Sequence, residues 1–244
     1  MAKNEFKFKY IKPLEKISRT SGRDALTIFN AFAKLTACAL SAGLRENDYK
    51  EEAQKWEKEH LELFSEAFSC LIIEMENKPY TDILGEYYLS LKNKSLKGEF
   101  YTSKPICDLI SKITSTEKQK MPIRIIEPSC GAGQMILSLA NTLVEKKISP
   151  YNLRVIAIDI DYTATQLCFI NTTLWGIPCE VYWGNALTNE FWGWFPNIHW
   201  RQVRECDRVN EMAGKMLEII NGFSKSEAKP KSRQATLFDY INKS

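Results

Sequence analysis

The chain predicts an α/β fold: an N-terminal helical module, a partial parallel sheet of about three strands, and a closing C-terminal helix. Three observations carry that reading. Apolar residues recur at helical spacing through the first third, and short β-branched runs alternate with amphipathic stretches from residue 123 to 183. A helical period then returns after residue 199. The boundaries that follow are 1–97 for the helical module, 98–198 for the sheet-bearing core, 199–221 for the closing helix and 222–244 for a polar tail.

Each element has its own signal. Leu26, Phe29, Phe32, Ala33, Leu35 and Leu40 share one helical face between residues 22 and 42, and Gly43 closes the pattern. A second helix is predicted over 49–76 and stopped by Pro79, with a short amphipathic piece over 82–91. Lys92, Lys94 and Lys97 read as a solvated face. Ile123–Ile126, Leu153–Ile160 and Cys179–Trp183 read as strands, and 134–146 and 163–175 as the helices between them. Strand–helix alternation of this kind gives parallel βαβ units with right-handed crossovers. Residues 199–220 read as a helix, and the lysine-rich stretch 222–233 as a linker.

Composition excludes some classes of protein. Of 244 residues, 44% are hydrophobic and 26% charged, as in ordinary globular chains. A net charge of +3 gives no argument for nucleic acid. The absence of a long apolar run argues against a membrane span, and the basic start has no apolar segment behind it to make a signal peptide. Seven scattered cysteines and two histidines lack metal-ligand spacing, so no metal is expected, and free thiols fit the cytoplasm.

Chemistry concentrates where the strands end. An apolar strand runs into Glu127-Pro128-Ser129-Cys130-Gly131-Ala132-Gly133, and a helix opens directly afterwards. Gly131 and Gly133 admit a ligand that a Cβ would exclude, and the helix start offers unpaired N–H groups. The plainer reading is a tight turn without a ligand. The next strand ends in Asp159, which can accept the hydroxyls of a ribose or simply cap a helix. The third runs out into Gly184-Asn185-Ala186-Leu187, where Asn185 can face an adenine ring or serve as a turn residue. Glu127 disfavours a pyrophosphate such as that of NAD. It suits a ligand with ammonium and sulfonium centres, which points to S-adenosylmethionine.

With Leu84-Gly-Glu-Tyr87 and Gly98-Glu-Phe-Tyr-Thr-Ser103 in front of these motifs, the chain resembles the N6-adenine DNA methyltransferases. The likeness is particularly to the modification subunits of type I restriction systems, in short forms such as occur on mobile elements. It implies a Rossmann-like S-adenosylmethionine-dependent methyltransferase sheet, here partial. By resemblance, Tyr101 and Thr102 contact the amino-acid end of the cofactor, and Glu127, Pro128, Gly131 and Gly133 shape its methionine pocket. Asp159 binds the ribose, and Asn185 lies by the adenine amino group, where the family more often has Asp.

One family element does not match. The family's catalytic (N/D/S)PP(Y/F) tetrapeptide has no counterpart, and Phe195-Pro196-Asn197 is the nearest fragment. No catalytic residue is assigned. The expected function is therefore a cofactor-binding, methyltransferase-like protein that lacks catalysis alone. The alternatives are an active enzyme completed by a partner subunit, and a non-enzymatic binding protein tethered to a sliding clamp or restriction complex. DNA is the expected partner, directly or through such a complex, with a homodimer also open. Gln234, Leu237 and Phe238 resemble the QxxLF peptide that binds sliding clamps. The aromatics from Trp183 to Trp200 are expected to cover the sheet edge that truncation leaves beside the first strand.

Overall fold

A computed structural model of the protein describes residues 8–92, 102–115 and 121–220, with side chains to residue 213. Tyr101, Lys94, Lys97, Gln234, Leu237 and Phe238 lie outside the described residues.

The first third is helical: α1 (Ile11–Ser21), α2 (Ala25–Leu40), α3 (Glu46–Ala53), α4 (Lys58–Asn77) and α5 (Ile83–Lys92). Helix α1 was not expected from the basic start, yet Ile11, Leu14 and Ile17 recur every three residues and are buried. Gly22, in the left-handed region at φ 69°, ends it, its amide donating a hydrogen bond to the Ser18 carbonyl. Asp24 then starts α2, its carboxylate accepting the Thr27 amide at 3.0 Å. The single helix expected over 49–76 is two. Between them Trp56 folds into the core, 5.1 Å edge-on to Phe64 and 4.1 Å beneath the Arg23 guanidinium. Burying that ring outweighs continuing the helix. The Tyr10 hydroxyl donates to the Ile83 carbonyl at 3.1 Å and so pins the start of α5 to this core.

Helix α6 (Lys104–Thr114) leads toward the sheet. Its small residues Cys107 and Ser111 are buried, whereas Ile106, Leu109, Ile110 and Ile113 are exposed. The apolar stripe therefore faces outward.

Beyond it come β1 (Ile123–Glu127), α7 (Gln134–Glu145), β2 (Leu153–Asp159), α8 (Tyr162–Leu174), β3 (Cys179–Asn185), β4 (Glu190–Pro196) and α9 (Ile198–Ile220). The strand order is β1-β2-β3-β4, parallel through β3 and antiparallel at β4. Alternation along the strands gives two faces. Ile123, Val155, Ala157, Cys179 and Val181 join the main core with α7 and α8. Ile156 and Ile158 turn the other way to meet Trp200 of α9. Arg154 and Asp207 pair beneath α9 at 2.9 Å. They line an open groove of about 980 Å³ with Arg124, Trp194 and Arg204, on the face away from the glycine turn.

The sheet thus holds the three parallel strands expected, and among the described residues an antiparallel fourth joins them. Residues 190–196 fold back because their aromatics find partners on β3. Trp194 donates to the Glu180 carboxylate at 2.9 Å, Phe191 lies 5.3 Å from Tyr182, and Trp192 lies 5.2 Å from Trp183. The expectation that these aromatics cover the edge beside the first strand is corrected: they cover the edge of β3. Among the described residues β1 pairs only with β2.

Asn197 locks this arrangement. Its Oδ1 accepts the amides of Cys179 (3.2 Å) and Trp200 (2.8 Å), and its Nδ2 donates to the Ile177 carbonyl at 2.8 Å. A fully buried side chain so engaged is structural, which removes Phe195-Pro196-Asn197 as a stand-in for the missing tetrapeptide. Asn197→Ala should therefore destabilise the protein by about 2–4 kcal/mol, because three buried backbone groups lose their partners. Urea unfolding measures this, and a loss below about 0.5 kcal/mol would contradict the assignment.

Candidate cofactor site

The turn from β1 into α7 is shaped by its glycines. Gly131 and Gly133 have φ of 52° and 94°, in the region that side-chain-bearing residues avoid. A Cβ on Gly133 would also lie 3.2 Å from the Cys168 sulfur, so the turn has no room to shift backward. Its backbone is tied to β2: the Cys130 amide donates to the Ile158 carbonyl at 2.9 Å, and the Gly131 amide to Asp159 Oδ2 at 2.7 Å. The Gly133 amide closes the turn on the Cys130 carbonyl at 2.8 Å. Helix α7 then opens at Gln134, and Gly133 provides no side-chain cap. The N–H groups of its first turn therefore present a partial positive charge at the loop. Behind the turn sit the buried thiols of Cys130, Cys168 and Cys179, and burial pushes the Cys130 and Cys179 thiols well up.

Two carboxylates flank this turn. Glu127 ends β1 and is half-buried; burial raises its carboxyl above the usual range, and the nearby Asp159 charge adds to the rise. Only the Ser129 amide, at a long 3.4 Å, offsets this. Asp159 ends β2, and its Oδ1 accepts the Asp161 amide at 2.8 Å. Both Asp159 oxygens thus hold backbone amides.

The other expected residues occupy varied positions. Pro128 is exposed at the tip of the turn. Thr102 is exposed just ahead of α6, and its carbonyl lies 3.5 Å from the Cys107 sulfur. Burial, and then the Asp108 and Glu127 charges, push the Cys107 thiol up. Asn185 ends β3, and its Oδ1 accepts the Leu187 amide at 2.9 Å, closing the β3–β4 turn. The Trp183 indole donates to the Ile160 carbonyl at 3.1 Å and ties the ends of β2 and β3 together. Ile160 and Leu187 stand exposed at that edge, at 61% and 95%.

Sequence reasoning missed the supports of this edge. Asp161 caps α8, its Oδ1 accepting the Thr163 and Ala164 amides at 2.8 and 3.1 Å. Its Oδ2 accepts from Lys92 and the Tyr88 hydroxyl, each at 2.8 Å. Burial alone would raise Asp161, but Lys92 and these donors outweigh it and hold the carboxyl below the usual range. Lys92 is therefore no part of a solvated face: its side chain is 12% exposed and paired. The only signal was its position ten residues after Asp82 on a short amphipathic helix.

The N-6 DNA methylase family profile matches residues 79–204, just over half of the chain. The chain belongs to the N-6 DNA methylase family. No curated protein matches it. Among solved structures it is similar to a Listeria monocytogenes protein described as a class I S-adenosylmethionine-dependent methyltransferase. The identity is 16% and the TM-score 0.45, over 74% of this chain and 54% of that one. It is also similar to the methyltransferase subunit of a type I restriction-modification system from Streptococcus thermophilus. There the identity is 19% and the TM-score 0.36, over 69% of this chain and 36% of that one. The chain thus spans about half of the first structure's length and about a third of the second's. Among the described residues, no helix is long and apolar enough to cross a membrane.

The raised carboxyl of Glu127 has a consequence for stability. The unfolded chain gives up this proton at lower pH than the folded one, so stability falls as pH rises through the interval above the ordinary Glu value. In Glu127→Gln this fall should disappear, leaving the ligand-free variant more stable than wild type near neutral pH. Thermal unfolding from about pH 4 to about pH 7.5 reads it, and a variant less stable at neutral pH contradicts it.

Proposed function

We propose that the carboxyl edge of β1, β2 and β3 binds S-adenosylmethionine. In this reading the 244-residue chain is the cofactor half of an N6-adenine DNA methyltransferase and does not transfer methyl by itself. The observation that carries the proposal is Glu127. A half-buried carboxylate, raised by burial, stands at a glycine turn and accepts the Ser129 amide at a long 3.4 Å. Such a group suits a cationic ligand and repels a pyrophosphate. Glu127 would hold the ammonium of the amino-acid end, with Tyr101, Thr102 and Pro128 beside it. Gly131 and Gly133 would let the backbone approach. Asp159 would accept the ribose hydroxyls, and Asn185 would face the adenine. The cofactor, when bound, supplies a methyl group on a sulfonium centre. DNA is the substrate class that family membership suggests, and no residue of this chain is assigned to hold the target amine.

Calorimetry with S-adenosylmethionine tests the site. Wild type should bind, and Glu127→Gln and Asp159→Ala should each weaken binding at least about tenfold, the scale of one lost charged hydrogen bond. No binding by wild type would remove the cofactor reading. Incorporation of labelled methyl into DNA by the purified chain would overturn the claim that it does not act alone.

A second reading, an enzyme completed by a partner subunit, is favoured by one specific feature. The outward apolar stripe of α6 and the edge of β1 are surfaces that folded chains usually cover. Under that reading methyl transfer is absent from the isolated chain and present in the complex purified from its host.

A further inference from the structure

The N-terminal module touches the glycine turn at one buried point. Ala132, between the two turn glycines, directs its carbonyl at Asn171 of α8, whose Nδ2 donates to it at 2.8 Å. The same Nδ2 donates to Asp82 Oδ1 at 2.9 Å, and that oxygen also accepts the Gly85 amide at 2.8 Å, at the start of α5. The Asp82 amide in turn donates to Gln134 Oε1 at 2.9 Å, on the first residue of α7. Asp82 and Asn171 are both buried, 8% and 0% exposed. Asn171 Oδ1 has no hydrogen-bond partner, so the amide is oriented entirely by its two acceptors.

Packing at this point leaves no slack. A Cβ on Gly85 would come 2.7 Å from the Ala132 Cβ and would clash with Asp82 Oδ2. The backbone of α5 therefore rests directly on the turn. Burial pushes the Asp82 carboxyl up to about 7, against the pull of the Gly85 and Asn171 donors. A fold that needed only an apolar contact here would not bury this carboxyl and leave an amide oxygen without a donor.

We infer that Asp82 and Asn171 are positioning residues that hold the Gly131–Gly133 turn in its ligand-binding shape from behind, making the helical module a working part of the cofactor site. The inference rests on the cofactor reading proposed above. Neither side chain is assigned a contact with the ligand; each acts through Ala132. The network also explains why helical and sheet-bearing parts meet at this turn: Asp82 stands just ahead of α5, α5 supplies Gly85, α8 supplies Asn171, and α7 supplies Gln134.

The test compares wild type, Asn171→Ala, Asp82→Ala and Asp82→Asn by S-adenosylmethionine calorimetry. Amide hydrogen exchange at Gly131 and Gly133, without ligand, supplies the second readout. Asn171→Ala and Asp82→Ala should each weaken binding at least about tenfold and speed exchange of those two amides, at a temperature where the proteins are folded. Asp82→Asn, which keeps the acceptor oxygen, should restore most of both. If wild type binds while the alanine variants bind equally well with unchanged exchange, the inference is overturned. A fall in melting temperature alone, with affinity intact, also overturns it by showing a merely structural role. Should Asn171→Ala fail to fold, Asn171→Ser is judged by the same two readouts. If wild type itself does not bind, the cofactor reading fails first, and faster exchange in the variants still reports whether the network holds the turn.

Discussion

Everything at the functional edge depends on how the chain passes from β1 into α7. The turn must leave the strand, rise above the sheet and start a helix within six residues, Pro128 to Gly133. It does so with two glycines at positive φ and with amides tied to β2, at Ile158 and Asp159. Because Asp159 holds the Gly131 amide, the end of β2 and the shape of the turn are one unit. A change at either alters both, so Asp159 and the two glycines form one structural unit.

That unit is held from outside the sheet. On one side the Asp82–Asn171 pair grips the Ala132 carbonyl. On the other, Asp161 gathers the start of α8, Lys92 and Tyr88 into one half-buried knot. Both devices reach back to α5, so the helical module bears on the edge at two places. The opposite face of the sheet carries a smaller core of Ile156, Ile158 and Trp200, with ion pairs beneath α9. The contrast is physical: the face next to the helical module is tightly packed around the glycine turn, and the face under α9 is open.

Much of this was legible in the sequence where periodicity and burial agree. Strands β1 to β3 and helices α2, α7 and α8 lie where β-branched runs and three-to-four spacing place them. The misses share a cause, since each depends on contacts distant in sequence. The break between α3 and α4 exists because Trp56 finds Phe64 and Arg23. Strand β4 exists because Trp194, Phe191 and Trp192 find β3, and its Gly193 gave no alternation to read. Helix α6 hid because its buried side is Cys107 and Ser111 while its apolar side faces out. At the sheet edge, the placement of Glu127, Asp159 and Asn185 at strand ends was readable from motif order. Asp82, Lys92, Asp161 and Asn171 were not, because each acts through a partner on another element.

The central claim is that the glycine turn and its two flanking carboxylates form an S-adenosylmethionine site. Its most direct test is an amide nuclear magnetic resonance titration of the chain with the cofactor. Signals of Gly131, Ala132, Gly133 and Ile160 should shift together with one saturation constant, while those of α1 stay in place. Saturable shifts confined to the α9 groove, or none at any residue, would contradict the account.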